Sequence, residues 1–298
     1  MSLRLLLPPE GVADLLATWP DEPRVYERGR TKVDEAMSLA CFNELIDTGC
    51  APPDEIAVIK AGPSNRTAFL TNGRTDPGKL GRLRDQGYTI RFGNMQRWLP
   101  AFHRISQGIQ QETGHSNYMH AFLTPGGEQG LLHHWDQQMA VIVQVAGTKS
   151  WQLWKPPVDA PMREYNESFR VWRPEYISQW EAAGPDMTVE LEAGQTLLLP
   201  RGWVHNPHAL DHNAPSLHLT FAIRERTPLW LAEQLLARAI EQSDFRGVVL
   251  PADLEQPVLA DRLSTTRRAL IAFLDGLDMA QMAGLVREAA VTELEYTT

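Results

Sequence analysis

Residues 133–154 read HHWDQQMAVIVQVAGTKSWQLW, and this stretch decides the fold. Two apolar runs, MAVIVQVA at 139–146 and SWQLW at 150–154, lie on either side of Gly147-Thr148. Runs of this length and composition, divided by a turn-forming glycine, predict two short β-strands joined by a tight connection.

Similar strand-like runs lie on both sides of this stretch, at 118–124, 187–192, 195–199 and 216–223. Turn-forming residues separate them, among them Gly194. Many short strands punctuated by turns are typical of a sandwich or a barrel. The region from 118 to 223 therefore predicts a mainly β core.

The flanks of this core have other patterns. Upstream, short helical patches alternate with strand-like runs, and the segment 62–81, rich in Gly, Pro, Asn and Asp, is expected to be a loop. Downstream, Thr227-Pro228 predicts a helix start, and helical patterns continue from there. We therefore expect an N-terminal α/β extension at 1–94, the β core at 95–225 and a helical region at 226–298.

A candidate metal site begins at His134 and Asp136. In an extended segment residues i and i+2 point the same way, so these two side chains can address one ion, while His133 and Trp135 face elsewhere. A His-x-Asp pair alone is a weak signal because it arises often by chance.

A second motif supplies the missing ligand. Residues 194–205, GQTLLLPRGWVH, fit the pattern G-x5-P-x-G-x2-H, which is the second cupin motif up to its histidine, His205. The asparagine usual further downstream is replaced by Ala209. Two histidines and one carboxylate form the facial triad of non-haem Fe(II) oxygenases, which leaves positions open for substrate and oxygen. The two motifs together predict a cupin-type double-stranded β-helix.

Other readings of these histidines stay open. His134 and His205 are compatible with structural histidines, and Asp136 with a turn residue. His208 and His212 follow the last ligand closely enough to be alternative ligands.

Residues 117–155, NYMHAFLTPGGEQGLLHHWDQQMAVIVQVAGTKSWQLWK, resemble the core of the ribosomal oxygenases. These are JmjC-domain cupins that hydroxylate side chains of ribosomal proteins. Segments at 16–28, 57–62 and 91–102 are similar to the family's N-terminal part, and the likeness covers about residues 10–225.

The resemblance implies Fe(II) as the metal and 2-oxoglutarate as cosubstrate, with the far carboxylate of the cosubstrate paired to Lys149. Family members often carry a tyrosine and an asparagine on the strand before the metal motif, where this chain has Phe122 and His120. A serine in the last strand is replaced by Ala222. We expect His120, Phe122 and Thr220 to line the cosubstrate site together with Lys149, with His120 as a replacement contact.

Charge and composition restrict the partners. A net charge of −9, from 28 basic and 37 acidic residues, disfavours a general binder of nucleic-acid backbones. Cys41 and Cys50 do not make a disulfide framework, and no run reaches the ~20 apolar residues of a membrane helix. We expect a cytoplasmic protein without membrane contact, and the resemblance allows a homodimer.

The leading interpretation is an Fe(II)- and 2-oxoglutarate-dependent oxygenase that hydroxylates an unactivated carbon of a protein or peptide side chain, with a basic ribosomal protein as the family precedent. One alternative is a hydroxylase of a free amino acid or a natural-product intermediate. Another is a non-oxidative metal-binding cupin, such as an isomerase or a zinc scaffold, because the same ligands suit zinc. A third is a non-catalytic interaction module.

Overall fold

The structure is a computed structural model that describes residues 1–162 and 174–293. It divides into two compact units, of which the first ends at Glu225 and the second begins at Arg226. Strands from both sides of residues 94 and 95 belong to one sheet of the first unit. The three-region division expected from the sequence stays a prediction.

Two facing sets of antiparallel strands form the body of the first unit. The large sheet contains, in spatial order, β1 (Arg24–Glu27), β10 (Gln195–Leu199), β7 (Met139–Ala146), β12 (Ser216–Arg224), β6 (Ser116–Thr124), β5 (Thr89–Phe92) and β2 (Ile56–Ile59). The small sheet contains β11 (Val204–His208), β8 (Thr148–Trp154) and β9 (Met187–Glu192). A separate hairpin pairs β3 (Leu70–Thr71) with β4 (Arg74–Thr75).

The helices of the first unit are α1 (Pro9–Thr18), α2 (Lys32–Ala36), α3 (Leu39–Thr48), α4 (Pro77–Asp85), α5 (Pro100–Thr113) and α6 (Pro174–Ala183). The expectation of an unbroken loop at 62–81 is wrong, because the β3–β4 hairpin and the start of α4 lie in it. The Asp76 side chain accepts a hydrogen bond from the amide of Lys79 at 3.0 Å, and Pro77 occupies the first helical position. An acidic cap followed by proline starts a helix even in a polar segment.

Alternation along β6 separates the two faces of the large sheet. Met119, Ala121 and Leu123 are buried in the larger apolar core, which also contains residues of the N-terminal helices. The residues between them face the space between the two sheets. This period of two results from strand geometry, in which successive side chains point to opposite faces.

A smaller apolar cluster fills part of the space between the sheets. It joins Ala140 and Ile142 of β7 to Trp151 and Leu153 of β8, while Val141 of β7 belongs to the other core. Gly147, at φ +64°, makes the tight connection from β7 to β8, and a Cβ there would lie 2.3 Å from the carbonyl oxygen of Pro215. The predicted double-stranded β-helix with α/β additions and a helical C-terminal region is confirmed.

The second unit contains α7 (Pro228–Ala237), α8 (Val258–Asp275) and α9 (Met279–Thr292). Near its start the guanidinium of Arg226 lies 4.0 Å from the centre of the Trp230 ring. Among the described helices none is by itself long and apolar enough to cross a membrane; α8 and α9, bent by 95°, reach that length and composition only as a pair.

Candidate metal centre and cosubstrate cavity

A short backbone bridge brings the two predicted metal motifs together. The amide of His134 donates to the carbonyl of His205 at 3.1 Å, and the amide of His205 donates back at 2.7 Å. The amide of Gly202 donates to the carbonyl of Asp136 at 2.8 Å. The turn before β11 is thereby fixed against the segment that carries the first two ligands.

The three predicted ligand side chains converge. One ligand atom from each of His134, Asp136 and His205 lies within 4.8 Å of the other two. The Nε2 atom of His205 is 3.9 Å from Oδ2 of Asp136, and the two imidazole centres are 4.1 Å apart. Such spacing suits three ligands on one side of a single ion, since metal–ligand bonds of about 2.0–2.2 Å place the donors close together.

Hydrogen bonds orient both imidazoles for this role. The Nδ1 atom of His134 lies 2.6 Å from the carbonyl oxygen of Leu132, and Nδ1 of His205 lies 3.0 Å from that of Trp203. A carbonyl oxygen only accepts, so each Nδ1 carries a proton and donates it. Each Nε2 is then left with its lone pair, as in metal-binding histidines whose other nitrogen is held by a backbone carbonyl.

The protein environment around the triad favours uncharged ligands before a metal binds. Burial lowers the pKa of His205 well below its usual range, and the neighbouring His134 lowers it further. Burial also raises the pKa of Asp136, against the influence of His134. A divalent cation would reverse the preference at Asp136, because its charge stabilises a carboxylate. The donor set therefore fits a divalent metal.

A cavity of about 270 Å³ opens beside the triad, between the two sheets. The four residues expected at the cosubstrate all line it: Lys149, His120, Phe122 and Thr220. Their binding role stays a prediction.

Lys149 projects from β8 into this cavity and is buried, with 2% of its surface exposed. Its Nζ donates to Oγ1 of Thr124 at 2.7 Å, and Thr124 in turn shares a 3.0 Å hydrogen bond with Thr89. Burial lowers the pKa of Lys149 to about 7. Among the residues that the structure describes, no carboxylate forms an ion pair with it, so a bound anion would stabilise its charge.

Phe122 and His218 stack in the cavity, with ring centres 4.9 Å apart and planes inclined by 7°. Trp151 packs edge-on against the other side of His218, at 5.4 Å. Burial lowers the pKa of His218 well below its usual range, and the neighbouring Lys149 and His205 lower it further. The ring lines the same cavity as the metal ligands and the lysine, although it was not among the site residues expected from the sequence.

His120 lies further along β6. Its Nδ1 accepts a hydrogen bond from the amide of Asn94 at 3.2 Å and lies 3.1 Å from the carbonyl oxygen of Met119. Burial, followed by the charge of Arg91, lowers its pKa to about 3, so the ring is neutral. Opposite His120 on β12 stands Thr220, and Ala222 follows at the position opposite Tyr118.

The remaining histidines near the motifs have other surroundings. The ring of His133 packs 4.8 Å from Trp154. His212 lies 3.0 Å from the Glu190 carboxylate through Nε2, and neither it nor His208 belongs to the group of convergent ligand atoms in the described chain. His134, Asp136 and His205 therefore remain the predicted ligand set.

Sequence reasoning missed one charged residue of the cavity. Arg91 lies on β5 opposite Phe122, and it lines the cavity together with Thr89. The alternation in YTIRF, residues 88–92, is typical of a strand, but it does not indicate which face of the sheet the arginine occupies. The pairing of β5 with β6 determines which face Arg91 occupies. This pairing joins segments distant in the chain, so the local pattern does not indicate it.

Comparisons with known proteins agree with this geometry. A model described as a JmjC domain matches residues 91–229. The chain is 27% identical over 282 residues to the bifunctional lysine-specific demethylase and histidyl-hydroxylase NO66 of Aedes aegypti, covering 90% of this chain and 43% of that protein. It is 32% identical over 171 residues to ribosomal oxygenase 1 of Danio rerio, covering 57% and 30%. The chain thus spans less than half the length of these curated relatives.

Solved structures share the fold. The ribosomal oxygenase YcfD of Escherichia coli, in complex with cobalt and 2-oxoglutarate, superposes with a TM-score of 0.55 at 14% identity, covering 98% of this chain and 73% of that one. A second YcfD structure, with cobalt and succinic acid, gives a TM-score of 0.56 at 13% identity over 98% and 73%. By the family match, the strand order and the convergence of its two motifs, this chain contains a JmjC domain at residues 91–229.

Proposed function

We propose that this chain is an Fe(II)- and 2-oxoglutarate-dependent oxygenase that hydroxylates an unactivated carbon of a protein or peptide side chain. The observation that carries the proposal is one cavity that contains both His134, Asp136 and His205, with ligand atoms within 4.8 Å of one another, and the buried cation Lys149. A 2-oxo dicarboxylate needs both features, a metal for one end and a cation for the other.

The ligand set supports iron. Two imidazoles and one carboxylate on one side of an ion leave the opposite positions open, and this arrangement is diagnostic of non-haem Fe(II) oxygenases. When bound, Fe(II) would supply the oxidising chemistry that inserts an oxygen atom of O₂ into a C–H bond, with 2-oxoglutarate as the electron donor that becomes succinate and carbon dioxide.

The protein's own side chains position the reactants. Lys149, fixed by Thr124, would hold the far carboxylate of 2-oxoglutarate as a point charge. Trp151, Ile142 and Phe122 line the cavity with apolar surface. Apolar walls exclude bulk water, which strengthens the electrostatic interactions inside and protects reactive species from side reactions.

A protein side chain as the substrate is supported by the relatives, one named a histidyl-hydroxylase and another a ribosomal oxygenase. The net charge of −9 is compatible with a basic partner such as a ribosomal protein. The proposal also includes that the protein is cytoplasmic and that it forms a homodimer.

The proposal is tested without the substrate by adding Fe(II) and 2-oxoglutarate to the purified protein under anaerobic conditions. A visible metal-to-ligand charge-transfer band is expected, since the 2-oxo acid chelates the iron. His134→Ala and Asp136→Ala should abolish the band and the formation of succinate in air. Matched controls are His103→Ala and Asp47→Ala, which alter an exposed histidine and an exposed aspartate outside the cavity.

Two outcomes would overturn the proposal. One is succinate formation that survives both ligand substitutions. The other is protein that retains zinc through native purification and, after exchange to Fe(II), gives neither the band nor succinate. That second result would favour a non-oxidative zinc cupin.

A further inference from the structure

A second cation enters the cavity from the large sheet. Arg91 lies at the centre of β5, between Ala57 of β2 and Phe122 of β6. The neighbouring Ile90 and Phe92 point the other way, into the larger apolar core. Strand pairing on both sides of β5 and the burial of Ile90 and Phe92 fix the backbone of Arg91. The geometry of the sheet therefore directs the Arg91 side chain into the cavity.

The guanidinium of Arg91 has no hydrogen-bond partner among the residues that the structure describes. Its Nε is buried and unpaired. The acid whose charge acts on Arg91 is Glu55, whose carboxylate already accepts from Nδ2 of Asn94 at 2.9 Å and lies 3.8 Å from Nη1 of Arg97. Burial and the charge of Arg66 lower the pKa of Arg91, yet an arginine stays protonated in proteins. A charged group that lines a cavity and whose buried nitrogen has no acceptor is a candidate binding position.

The charges of the cavity lining, the metal and the cosubstrate do not balance. Among the described lining residues Asp136 is the one acidic side chain. A divalent metal with Lys149 and Arg91 would bring four positive charges, while Asp136 and bound 2-oxoglutarate would bring three negative charges. One positive charge remains after the cosubstrate is bound.

We propose that Arg91 forms a second anion subsite of the cavity, which binds a carboxylate of the substrate that is to be hydroxylated. A guanidinium presents two parallel N–H donors that match the two oxygens of a carboxylate, which a point charge such as lysine does not do. The substrate therefore presents a carboxylate near the carbon that is hydroxylated, which a single acidic residue or a chain terminus of an otherwise basic protein can supply. This inference rests on the proposed function and narrows its substrate class.

Neighbouring groups fit the same ligand chemistry. Thr89, two residues before Arg91 on the same face, places a hydroxyl in the cavity. His120 is neutral beside Arg91 and adds no competing charge. The aromatic ring of Phe122, opposite Arg91 on β6, separates the guanidinium from His218 on β12. The two cations therefore enter the cavity from different sheets, Arg91 from β5 of the large sheet and Lys149 from β8 of the small sheet.

The test measures binding to the full chain loaded with Zn(II) and saturated with 2-oxoglutarate, a complex that does not turn over. Ligand-observed NMR compares two matched pairs of probes. Acetyl-Gly-Glu-Gly-amide against acetyl-Gly-Gln-Gly-amide tests a side-chain carboxylate in a peptide, and N-acetylalanine against its amide tests the carboxylate of a free amino acid derivative. We expect the acid of one pair to bind at least tenfold more tightly than its amide, and the pair that shows the difference identifies the source.

Arg91→Gln should reduce the binding of that acid to the level of its amide, and Arg91→Lys should restore part of it. The dissociation constant for 2-oxoglutarate and the zinc content should stay within threefold of wild type. A second readout on the unmutated protein is the Nε–H resonance of Arg91, assigned by its absence in Arg91→Lys, which should shift on addition of the acid and not of the amide.

Three results would overturn the proposal: acids that bind no better than amides in both pairs, acid binding that survives Arg91→Gln, or an Arg91→Gln protein that loses 2-oxoglutarate instead. If Arg91→Gln does not fold, the Nε–H resonance of Arg91 in the unmutated protein tests the proposal. A resonance that does not shift on addition of the acid would also overturn it. Binding of 2-oxoglutarate to the zinc protein is measured first: its absence counts against the proposed function, whereas acids that do not bind to the saturated complex count against the subsite alone.

Discussion

His134 and His205 exchange a pair of backbone hydrogen bonds, 3.1 and 2.7 Å long, and their imidazole centres lie 4.1 Å apart. The two ligands are thus fixed to each other through the main chain and not only through a shared ion. A site built in this way is largely formed before the metal arrives, so little ordering of the side chains remains for binding.

The turn that delivers His205 depends on Gly202. This residue has φ +85°, and a Cβ on it would lie 2.9 Å from Cδ of Pro161. We expect Gly202→Ala to cost about 1–2 kcal/mol of unfolding free energy from the left-handed backbone conformation alone. It should also weaken zinc affinity about tenfold, because the amide of Gly202 holds the carbonyl of Asp136. Chemical denaturation and calorimetric zinc titration measure the two effects.

Gly29→Ala is the matched control for this substitution. Gly29 has φ +69°, but nothing lies within 4 Å of its ideal Cβ position. It should lose similar stability and retain zinc affinity. Equal zinc affinity in the two variants would contradict the role assigned to the Gly202 turn.

Much of the metal site was visible in the sequence because its signals are local. The i, i+2 spacing of His134 and Asp136 and the turn residues before His205 describe short segments whose conformation is determined by neighbours in the chain. Lys149 was found only through the family resemblance. The face of a strand that contacts a cavity depends on pairing with distant strands, which is why Arg91 was missed, and why His218, which shares a strand face with Thr220 in the sequence pattern, was not counted among the site residues.

The order of the strands was also beyond the sequence. β1 pairs with β10, although the two are far apart in the chain, and β2 and β5 extend the large sheet beyond β6. Hydrophobic alternation identifies a strand and its two faces but not its neighbours. Such pairing results from tertiary packing of the whole core.

His218 offers a test of the cavity's polar lining. We expect His218→Phe to preserve ring packing against Phe122 and to weaken 2-oxoglutarate binding to the zinc protein by about tenfold. One hydrogen bond to a charged group contributes about 1.5 kcal/mol, which corresponds to that factor. The exposed His103 on α5 provides the control, since His103→Phe should leave the affinity unchanged. Unaltered affinity in His218→Phe would show that the ring only fills space.

A buried ion pair holds the N-terminal segment against the large sheet. Nη2 of Arg28 donates to Oδ1 of Asp34 at 2.8 Å and to the carbonyl of Gln144 on β7 at 3.2 Å. Burial raises the pKa of Asp34, but hydrogen bonds from Arg28 and the Thr31 amide outweigh it, and the net pKa is lowered. We expect Asp34→Asn to cost about 3 kcal/mol at pH 7, since one buried charge loses its partner.

The pH dependence of this variant follows from the direction of the shift. A carboxyl whose folded pKa is depressed stabilises the fold above its ordinary pKa of 3.8 and loses that contribution as the pH falls through the folded value. The difference between wild type and Asp34→Asn should therefore shrink below about pH 4. Denaturation curves at several pH values measure it, with the exposed Asp47→Asn as control. A difference that stays constant down to pH 2 would exclude the ion pair as its cause.

Lys149 should make the metal-free protein more stable at alkaline pH. Burial lowers its pKa in the folded state to about 7, from the ordinary lysine value of 10.5. Between these two values the unfolded chain binds a proton that the folded chain does not, so the unfolding free energy rises with pH across this window and is flat below it. The full shift corresponds to an upper limit of about 4–5 kcal/mol. Lys149→Met should remove this slope in denaturation curves from pH 6 to 10.

The same lysine should make dicarboxylate binding depend on pH. Succinate favours the charged ammonium, so binding to the zinc protein takes up a proton once the pH exceeds the free-state pKa of about 7. The affinity should then fall about tenfold per pH unit above 7, as fewer free molecules carry the charge. The Lys149→Arg variant stays charged, so the pH dependence of its succinate affinity reports only changes at the zinc. The difference between its pH profile and that of wild type is the contribution of the lysine. Parallel pH profiles for the two proteins would mean that Lys149 is already charged in the empty cavity, with an anion or solvent that stabilises it there.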